Sequence, residues 1–173
     1  MKVMVVGGGG REHAIIKKLK ENKEIKKIYA LPGNGGMADD AECVAIGAKD
    51  IPAIVEFAKA NDIGFAVVAP DDPLVLGAVD ELSKLDKPVM IAGDFNARPN
   101  SKPMQLMAEH FHIFKKTEGD GLTIYSNKPV AEIDFICLFT DKGAKADVTS
   151  HKVIYAPVES DHSPIIADVI ITE

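Results

Sequence analysis

Several features that mark common functional classes are absent from this 173-residue chain. It contains no tryptophan and only two cysteines, Cys43 and Cys137, whose separate apolar surroundings predict buried reduced thiols instead of a disulfide or metal pair. A net charge of -6 argues against broad nucleic-acid binding. No apolar run approaches the roughly 20 residues of a membrane span, and the N-terminus MKVMVVGG is too short an apolar run for a signal peptide. We therefore expect a cytoplasmic protein without membrane partners.

Strand and helix patterns alternate along the first half of the chain. The composition, with 46% hydrophobic and 27% charged residues, is that of a folded globular protein. Apolar runs predict strands at 3–6, 25–31, 42–46, 65–69 and 88–92. Helical spacing and capping residues predict helices over 11–22, 51–61 and 74–85. This order predicts a doubly wound, Rossmann-like parallel unit with functional loops at the carboxyl ends of its strands.

The second half has a different pattern. One more helix is predicted over 102–111, and short runs rich in Val, Ile, Thr and Phe then predict antiparallel strands at 122–125, 132–139, 146–156 and 164–171. The expected fold is therefore α/β, with a Rossmann-like parallel half (1–85) continuing into a mixed or antiparallel half (86–173). Whether the halves share one sheet stays open.

The motif GGGGREHA at 7–14 follows the first predicted strand directly. Glycines let the backbone approach an anion, and the start of a helix offers free N–H donors to phosphate. Taken alone, the motif fits a simple tight turn equally well. Together with LPGNGG at 31–36 and VVAPDDPLVLG at 67–77, it makes residues 1–85 resemble the N-terminal domain of phosphoribosylamine-glycine ligase.

That resemblance implies a site for the ribosylamine phosphate and glycine. The residues that it implies are Gly9, Gly10, Arg11, Glu12, Gly33, Asn34, Pro70, Asp72 and Pro73. In the family, this domain precedes an ATP-grasp module, which has no counterpart in the second half of this sequence. We therefore expect a phosphate or nucleotide pocket for a small molecule, without ATP-dependent ligation.

Polar side chains in the second half suggest a different chemistry. Asp94 and Asn96 flank Phe95 at the end of an apolar strand, so both are expected on one side of the pleat. Asp134 lies between apolar residues, where a carboxylate is costly unless it is paired or coordinated. Asp161 and His162 precede a strand, and a carboxylate beside an imidazole raises its pKa and orients it. Each residue also has a structural explanation, as a turn, hydrogen-bonding or capping residue.

Three motifs contain these residues: VMIAGDFNARPNS at 89–101, EIDFI at 132–136 and SDHSPIIADV at 160–169. Together they resemble the C-terminal half of the endonuclease/exonuclease/phosphatase superfamily, and the resemblance implies that the mixed or antiparallel half (86–173) is phosphoesterase-like. The resemblance implies that Asp94 and Asn96 position a water and that Asp134 orients His162 toward phosphate. It also implies Asp161 as a ligand of Mg²⁺ or Mn²⁺. The asparagine and the metal-binding glutamate of that superfamily's first half have no counterpart in residues 1–85.

The two resemblances lead to three functional hypotheses. The leading one is an engineered or recombined chimera, joined near the helix and strand around 83–89, with two incomplete half-sites and little or no catalysis. The alternatives are a weak Mg²⁺- or Mn²⁺-dependent phosphoesterase and a phosphate- or nucleotide-binding module derived from a purine-biosynthesis ligase. Surfaces that lost their native partners also predict a homo-oligomer.

Overall fold

A computed structural model describes residues 1–85, 87–140 and 143–172. The chain separates into two compact units, unit 1 (Met1–Lys87) and unit 2 (Pro88–Glu173). The expected boundary residue Asp86 lies outside the described residues. No helix in the described part of the chain is both long and apolar enough to cross a membrane.

Unit 1 is an alternating α/β structure with a parallel sheet. Its elements are β1 (Lys2–Gly7), α1 (Gly10–Lys20), β2 (Lys27–Pro32), β3 (Glu42–Cys43), α2 (Ile51–Ala60), β4 (Phe65–Val68), α3 (Asp71–Val75) and α4 (Ala78–Ser83). The strand order is β3-β2-β1-β4, and every neighbouring pair is parallel. β1 is thus central, with the chain leaving it toward β2 on one side and returning as β4 on the other.

The central strand β1 is buried on both faces, which explains its continuous apolar run. Met4 packs with Ile54 of α2 on one face, and Val5 packs with Ile16 of α1 on the other. α1 and α2 therefore cover opposite faces of the sheet. In sheets of this kind, ligands bind where the strand order reverses, here at the carboxyl ends of β1 and β4.

Unit 2 combines antiparallel strands with one helix in its described part. Its elements are β5 (Met90–Asp94), α5 (Lys102–His110), β6 (Phe111–Ile113), β7 (Asp134–Phe139), β8 (Lys145–Val153) and β9 (Ile165–Thr172). One sheet has the order β5-β7-β6, and β8 pairs with β9 in a second sheet. The sheets share a core in which Phe114 and Leu138 pack with Val169. The protein is a mixed α/β fold with parallel and antiparallel sheets.

The tertiary structure changes three of the predicted elements. The strand expected at 88–92, as the last of the alternating parallel series, is β5, which pairs antiparallel with β7 in unit 2. The single helix expected over 74–85 is divided, because Gly77 adopts a left-handed conformation (φ 81°) before α4. The strand expected at 122–125 is reduced to isolated bridges at Ile124.

One smaller expectation was also wrong, and one strand was not predicted. Cys137 is buried, but Cys43 is exposed because it lies at the end of the two-residue edge strand β3. β6 was not predicted, since its three residues directly follow α5 and continue the apolar pattern of that helix.

Candidate functional site

Two loops at the carboxyl ends of β1 and β2 interlock. We call residues 7–10 loop 1 and residues 33–36 loop 2. Asn34 Nδ2 donates to the Gly8 carbonyl at 2.8 Å, and Gly33 N donates to the Gly7 carbonyl at 3.2 Å. Asn34 Oδ1 also accepts from Gly36 N at 2.7 Å. The Asn34 side chain, expected to contact a ligand, thus holds the two loops together.

Close packing explains the glycines at two positions. A Cβ on Gly8 would lie 2.8 Å from the Gly33 carbonyl oxygen. A Cβ on Gly33, where φ is +70°, would lie 2.6 Å from Cys43 Sγ. Gly10 differs, because no heavy atom other than those of its chain neighbours and of its own helix backbone lies within 4 Å of the position its Cβ would take. The surface beside the start of α1 is therefore open.

Glu12 has a structural contact in loop 1. Only 6% of the residue is exposed, and its Oε2 accepts a 2.6 Å hydrogen bond from Gly9 N. This bond satisfies a backbone donor near the start of α1. Glu12 therefore shapes the loop, although the sequence placed it with the binding residues.

Arg11 and the first backbone donors of α1 remain for a ligand. Arg11 is exposed. The N–H groups of Gly10 and Arg11 fall in the first turn of the helix, where donors have no intrahelical acceptor. The partial positive charge of the helix start and the guanidinium both favour an anion.

Pro70 and Asp72 follow β4, at the same sheet edge as loop 1, because Val6 of β1 is in register with Val68 of β4. The Asp72 carboxylate forms an exposed ion pair with Lys49 Nζ at 2.5 Å. The tertiary structure thus brings loops 1 and 2 into direct contact and gives Asp72 a lysine partner.

A charged cluster beside the loops was missed in the sequence. The Asp40 carboxylate lies 3.0 Å from His13 Nε2, 2.9 Å from Lys17 Nζ and 2.8 Å from Lys20 Nζ. Hydrogen bonds from Lys20, His13 and Lys17 hold the pKa of Asp40 well below its usual range. The i, i+4, i+7 spacing of the three basic residues on α1 was the available signal.

A cleft of about 800 Å³ lies elsewhere in unit 1, lined by residues of α2 together with Leu76 and Glu81. It contains none of the site residues expected from the sequence. We give more weight to the loops, because they combine backbone donors with an exposed cation, whereas the cleft has mixed apolar and charged walls.

Unit 2 brings together three of its predicted site residues. Asp94 and Asp134 are opposite each other on β5 and β7. His162 Nδ1 lies 3.0 and 3.2 Å from the two Asp134 oxygens, and its Nε2 lies 4.0 Å from Asp94 Oδ2. One donor atom from each residue falls within 4.8 Å of the others, so the group could hold a metal ion.

The electrostatics of this group centre on His162. Its hydrogen bond with Asp134 raises the pKa of the imidazole, and the charges of Asp134, Asp94 and Asp161 add to this effect. Directly opposed carboxylates on neighbouring strands repel each other. A cation between Asp94 and Asp134, either protonated His162 or a metal ion, relieves that repulsion.

Asn96 and Asp161, the other two predicted site residues of unit 2, lie outside the group formed by Asp94, Asp134 and His162. Asn96 adopts a left-handed conformation (φ 47°), and its backbone N donates to Asp94 Oδ1 at 2.7 Å. A turn, not the strand pleat, therefore brings Asn96 to Asp94. The Asp161 carboxylate lies outside the three-residue group, and its carbonyl accepts from Ser126 N.

Comparison with known proteins gives the relationship of the chain. A family model described as "Phosphoribosylglycinamide synthetase, N domain" matches residues 1–98, more than half of the sequence. The chain belongs to this family. Similar proteins are phosphoribosylamine-glycine ligases of Caldanaerobacter subterraneus subsp. tengcongensis (51% identity, 49% of this chain and 20% of the relative) and Streptococcus pneumoniae R6 (46%, 49% and 20%). The phosphoribosylamine-glycine ligase of Allochromatium vinosum is 44% identical, over 51% of this chain and 21% of the relative. The chain thus spans about a fifth of the length of these relatives.

The match to the phosphoribosylglycinamide synthetase N domain corrects the leading sequence hypothesis. It extends past the expected junction at residues 85 and 86 and includes all of β5. The interpretation as an engineered or recombined chimera was therefore wrong. The assignment of the second half to a hydrolase superfamily gains no support from these matches.

Proposed function

We propose that unit 1 is a phosphate-binding module of purine biosynthesis, and that its ligand is the phosphoribosylamine in the name of its ligase relatives. The interlocking of loops 1 and 2 carries this proposal. Bonds from Asn34 and Gly33 hold loop 1 in one conformation, while the space around Gly10 stays open. A site held rigid before binding loses little conformational entropy when the ligand arrives.

The chemistry of the proposed site follows from the start of α1. Phosphate oxygens accept from the N–H groups of Gly10 and Arg11, and the Arg11 guanidinium can pair with two of them. Because the chain as a whole carries a net charge of -6, this local positive charge must provide the attraction. Gly9 and Gly10 let the phosphate approach the backbone closely.

The role proposed for unit 1 is binding and orientation. The name of the relatives describes the joining of phosphoribosylamine to glycine. Loops 1 and 2 would fix the phosphate end, and the residues after β4, including Pro70, lie at the same sheet edge.

Replacing Arg11 with alanine should weaken the binding of ribose 5-phosphate about 10–100-fold, because one charge-assisted pair is worth roughly 1.5–3 kcal/mol. Isothermal titration calorimetry with ribose 5-phosphate measures this change. Lys18→Ala is the matched control, since it removes an exposed positive charge from the same helix, one that pairs with Glu21. Equal affinities for Arg11→Ala and Lys18→Ala would contradict the proposal.

A second binding function is favoured by the group Asp94, Asp134 and His162. We propose that it holds a divalent cation that receives a phosphate oxygen, with Asn96 orienting Asp94 and Asp161 adding negative charge. Asp134 engages Nδ1 of His162, which leaves Nε2 and the Asp94 carboxylate to face the ion. Carboxylates that hold a histidine ring in this way are common behind metal ligands. A mixed nitrogen and oxygen donor set suits Mn²⁺ better than Mg²⁺.

Substitution of Asp94 by asparagine should weaken Mn²⁺ binding about 10–100-fold, because a charged donor is lost beside the imidazole. Electron paramagnetic resonance of free Mn²⁺ gives the affinity. Asp147→Asn on β8 serves as control, since Asp147 is exposed in the same unit and has no place in the group. Unchanged Mn²⁺ affinity in folded Asp94→Asn would exclude the site.

A further inference from the structure

Lys116 is a buried cation in unit 2. Only 5% of its side chain is exposed. Its Nζ donates to Glu132 Oε1 at 2.5 Å and to the backbone carbonyl of Asp134 at 2.8 Å, and it lies 5.0 Å from the centre of the Phe135 ring. A lysine is seldom buried without such partners, because desolvating its charge is costly.

The contact with Asp134 occurs where β7 lacks a strand neighbour. Phe95 N donates to the Ile133 carbonyl, so the next pair, Asp94 and Asp134, is the non-hydrogen-bonded kind. In such a pair, the N–H and C=O of Asp134 point away from β5. β6 pairs with β7 only from Phe139 to Cys137, and does not extend to Asp134.

Two side chains replace the missing strand at that position. Lys116 Nζ binds the Asp134 carbonyl, and Thr123 Oγ1 accepts from Asp134 N at 3.3 Å. The backbone of Asp134 is thus held on both sides of its Cα. Its carboxylate, which is mostly buried, then contacts His162 Nδ1 at 3.0 Å.

A purely stabilising ion pair would account for the Lys116–Glu132 contact alone. Buried ion pairs add little net stability, since desolvation offsets their attraction. The second bond of Lys116 is not explained in this way, because its acceptor is the backbone carbonyl of Asp134, whose carboxylate contacts His162.

We propose that Lys116 is a positioning residue, which fixes the backbone of Asp134 so that its carboxylate holds His162 with Nε2 directed toward the cation. The inference rests on the cation site proposed for unit 2. Lys116 touches neither the ion nor the phosphate; it acts through Asp134. Without it, the Asp134 carboxylate is free to shift, and the imidazole loses its fixed orientation.

Nuclear magnetic resonance of the His162 ring nitrogens tests the inference without any metal. At a pH at which the ring is neutral, the wild type should show the Nδ1–H tautomer, because Nδ1 faces Asp134. Lys116→Met should convert His162 to a mixture of tautomers and weaken Mn²⁺ binding at least tenfold. Lys116→Met with Glu132→Gln removes the unpaired carboxylate and is the second variant should the single substitution unfold.

Two controls separate positioning from loss of stability. Met104→Ala removes a buried side chain from the core of unit 2 and should leave the tautomer unchanged. Glu132→Gln keeps an acceptor for Lys116 and should also leave it unchanged. A folded Lys116 variant with the wild-type tautomer overturns the inference even if Mn²⁺ binds. A changed tautomer in a protein that never binds Mn²⁺ supports the inference and rejects the cation site instead.

Discussion

Replacing Gly33 with alanine will lower the free energy of unfolding of unit 1 by about 2–5 kcal/mol. Gly33 has φ +70°, and a left-handed backbone costs most other residues about 1–2 kcal/mol. The new methyl group would also lie 2.6 Å from Cys43 Sγ and 2.9 Å from Ala30 Cβ. Such overpacking adds about 1–3 kcal/mol.

The same substitution should disrupt phosphate binding. If loop 2 moves to relieve the overlap, the bonds from Gly33 and Asn34 to loop 1 are lost. Gly35→Ala is a control within the same loop, since no heavy atom lies within 4 Å of its Cβ position and its φ lies outside the left-handed region. Unfolding in urea can be monitored by the hydrogen exchange of the backbone amides in β1 and β2. Because these strands belong to unit 1, this measurement gives the free energy of unfolding of unit 1 alone. Matching unfolding curves for the two variants would show that Gly33 is not required.

Acid will destabilise unit 2 through His151. The residue is completely buried. Neither ring nitrogen makes a hydrogen bond of normal geometry within the described residues, and the nearby backbone of Lys115 and Phe114 only partly opposes the effect of burial on the pKa. Burial lowers the pKa of His151, and the positive charge of Lys116 lowers it further, while Glu132 acts in the opposite direction. Folded unit 2 therefore keeps this imidazole neutral.

The sign of the pH dependence follows from proton binding. Below the ordinary histidine pKa of about 6.5, His151 binds a proton in the unfolded chain but stays unprotonated in the folded protein, because its folded-state pKa is lower. The contribution of His151 to the free energy of unfolding is thus fully present above that pH, and it is lost as the pH falls toward the lowered pKa of the folded state. One proton changes the free energy of unfolding by at most about 1.4 kcal/mol per pH unit, or tenfold in the unfolding constant.

His162 titrates with the opposite sign and must be separated from His151. Because the pKa of His162 is raised, its contribution is complete below about pH 6.5 and is lost as the pH rises through the raised value. Denaturant titration between pH 5 and 8 gives the free energy of unfolding at each pH. In a His162→Asn background, we expect His151→Leu to reduce the decrease in this free energy at acidic pH. An acid limb that persists in that double variant would assign the loss to other groups.

Loops 1 and 2 were largely predictable from the sequence, whereas the contacts that shape them were not. The run GGGGREHA placed Gly9, Gly10 and Arg11 after a strand, because local glycine patterns specify backbone conformation. Glu12 looked like part of the same binding motif, yet its carboxylate accepts from Gly9 N. The role of a polar side chain depends on which backbone donors lie beside it after folding.

In unit 2, the sequence motifs identified the polar group but not its arrangement. Asp94, Asp134 and His162 were expected to act together, and the structure brings them within 4.8 Å. Asp161 was the expected metal ligand, but its carboxylate lies outside that group. Lys116 belongs to no recognisable motif, and its importance appears only where β6 ends before Asp134.

The sequence by itself determined the alternating parallel unit and its loops, because buried strands and capped helices follow from local patterns of apolar residues, glycine and proline. Only the tertiary structure decided that β5 pairs antiparallel with β7 and that His151 and Lys116 are buried. Strand pairing and burial depend on residues distant in sequence, so no local pattern specifies them. The apolar pattern at 88–92 is compatible with pairing in the parallel sheet or with β7. Only the tertiary structure shows that β7 is the partner.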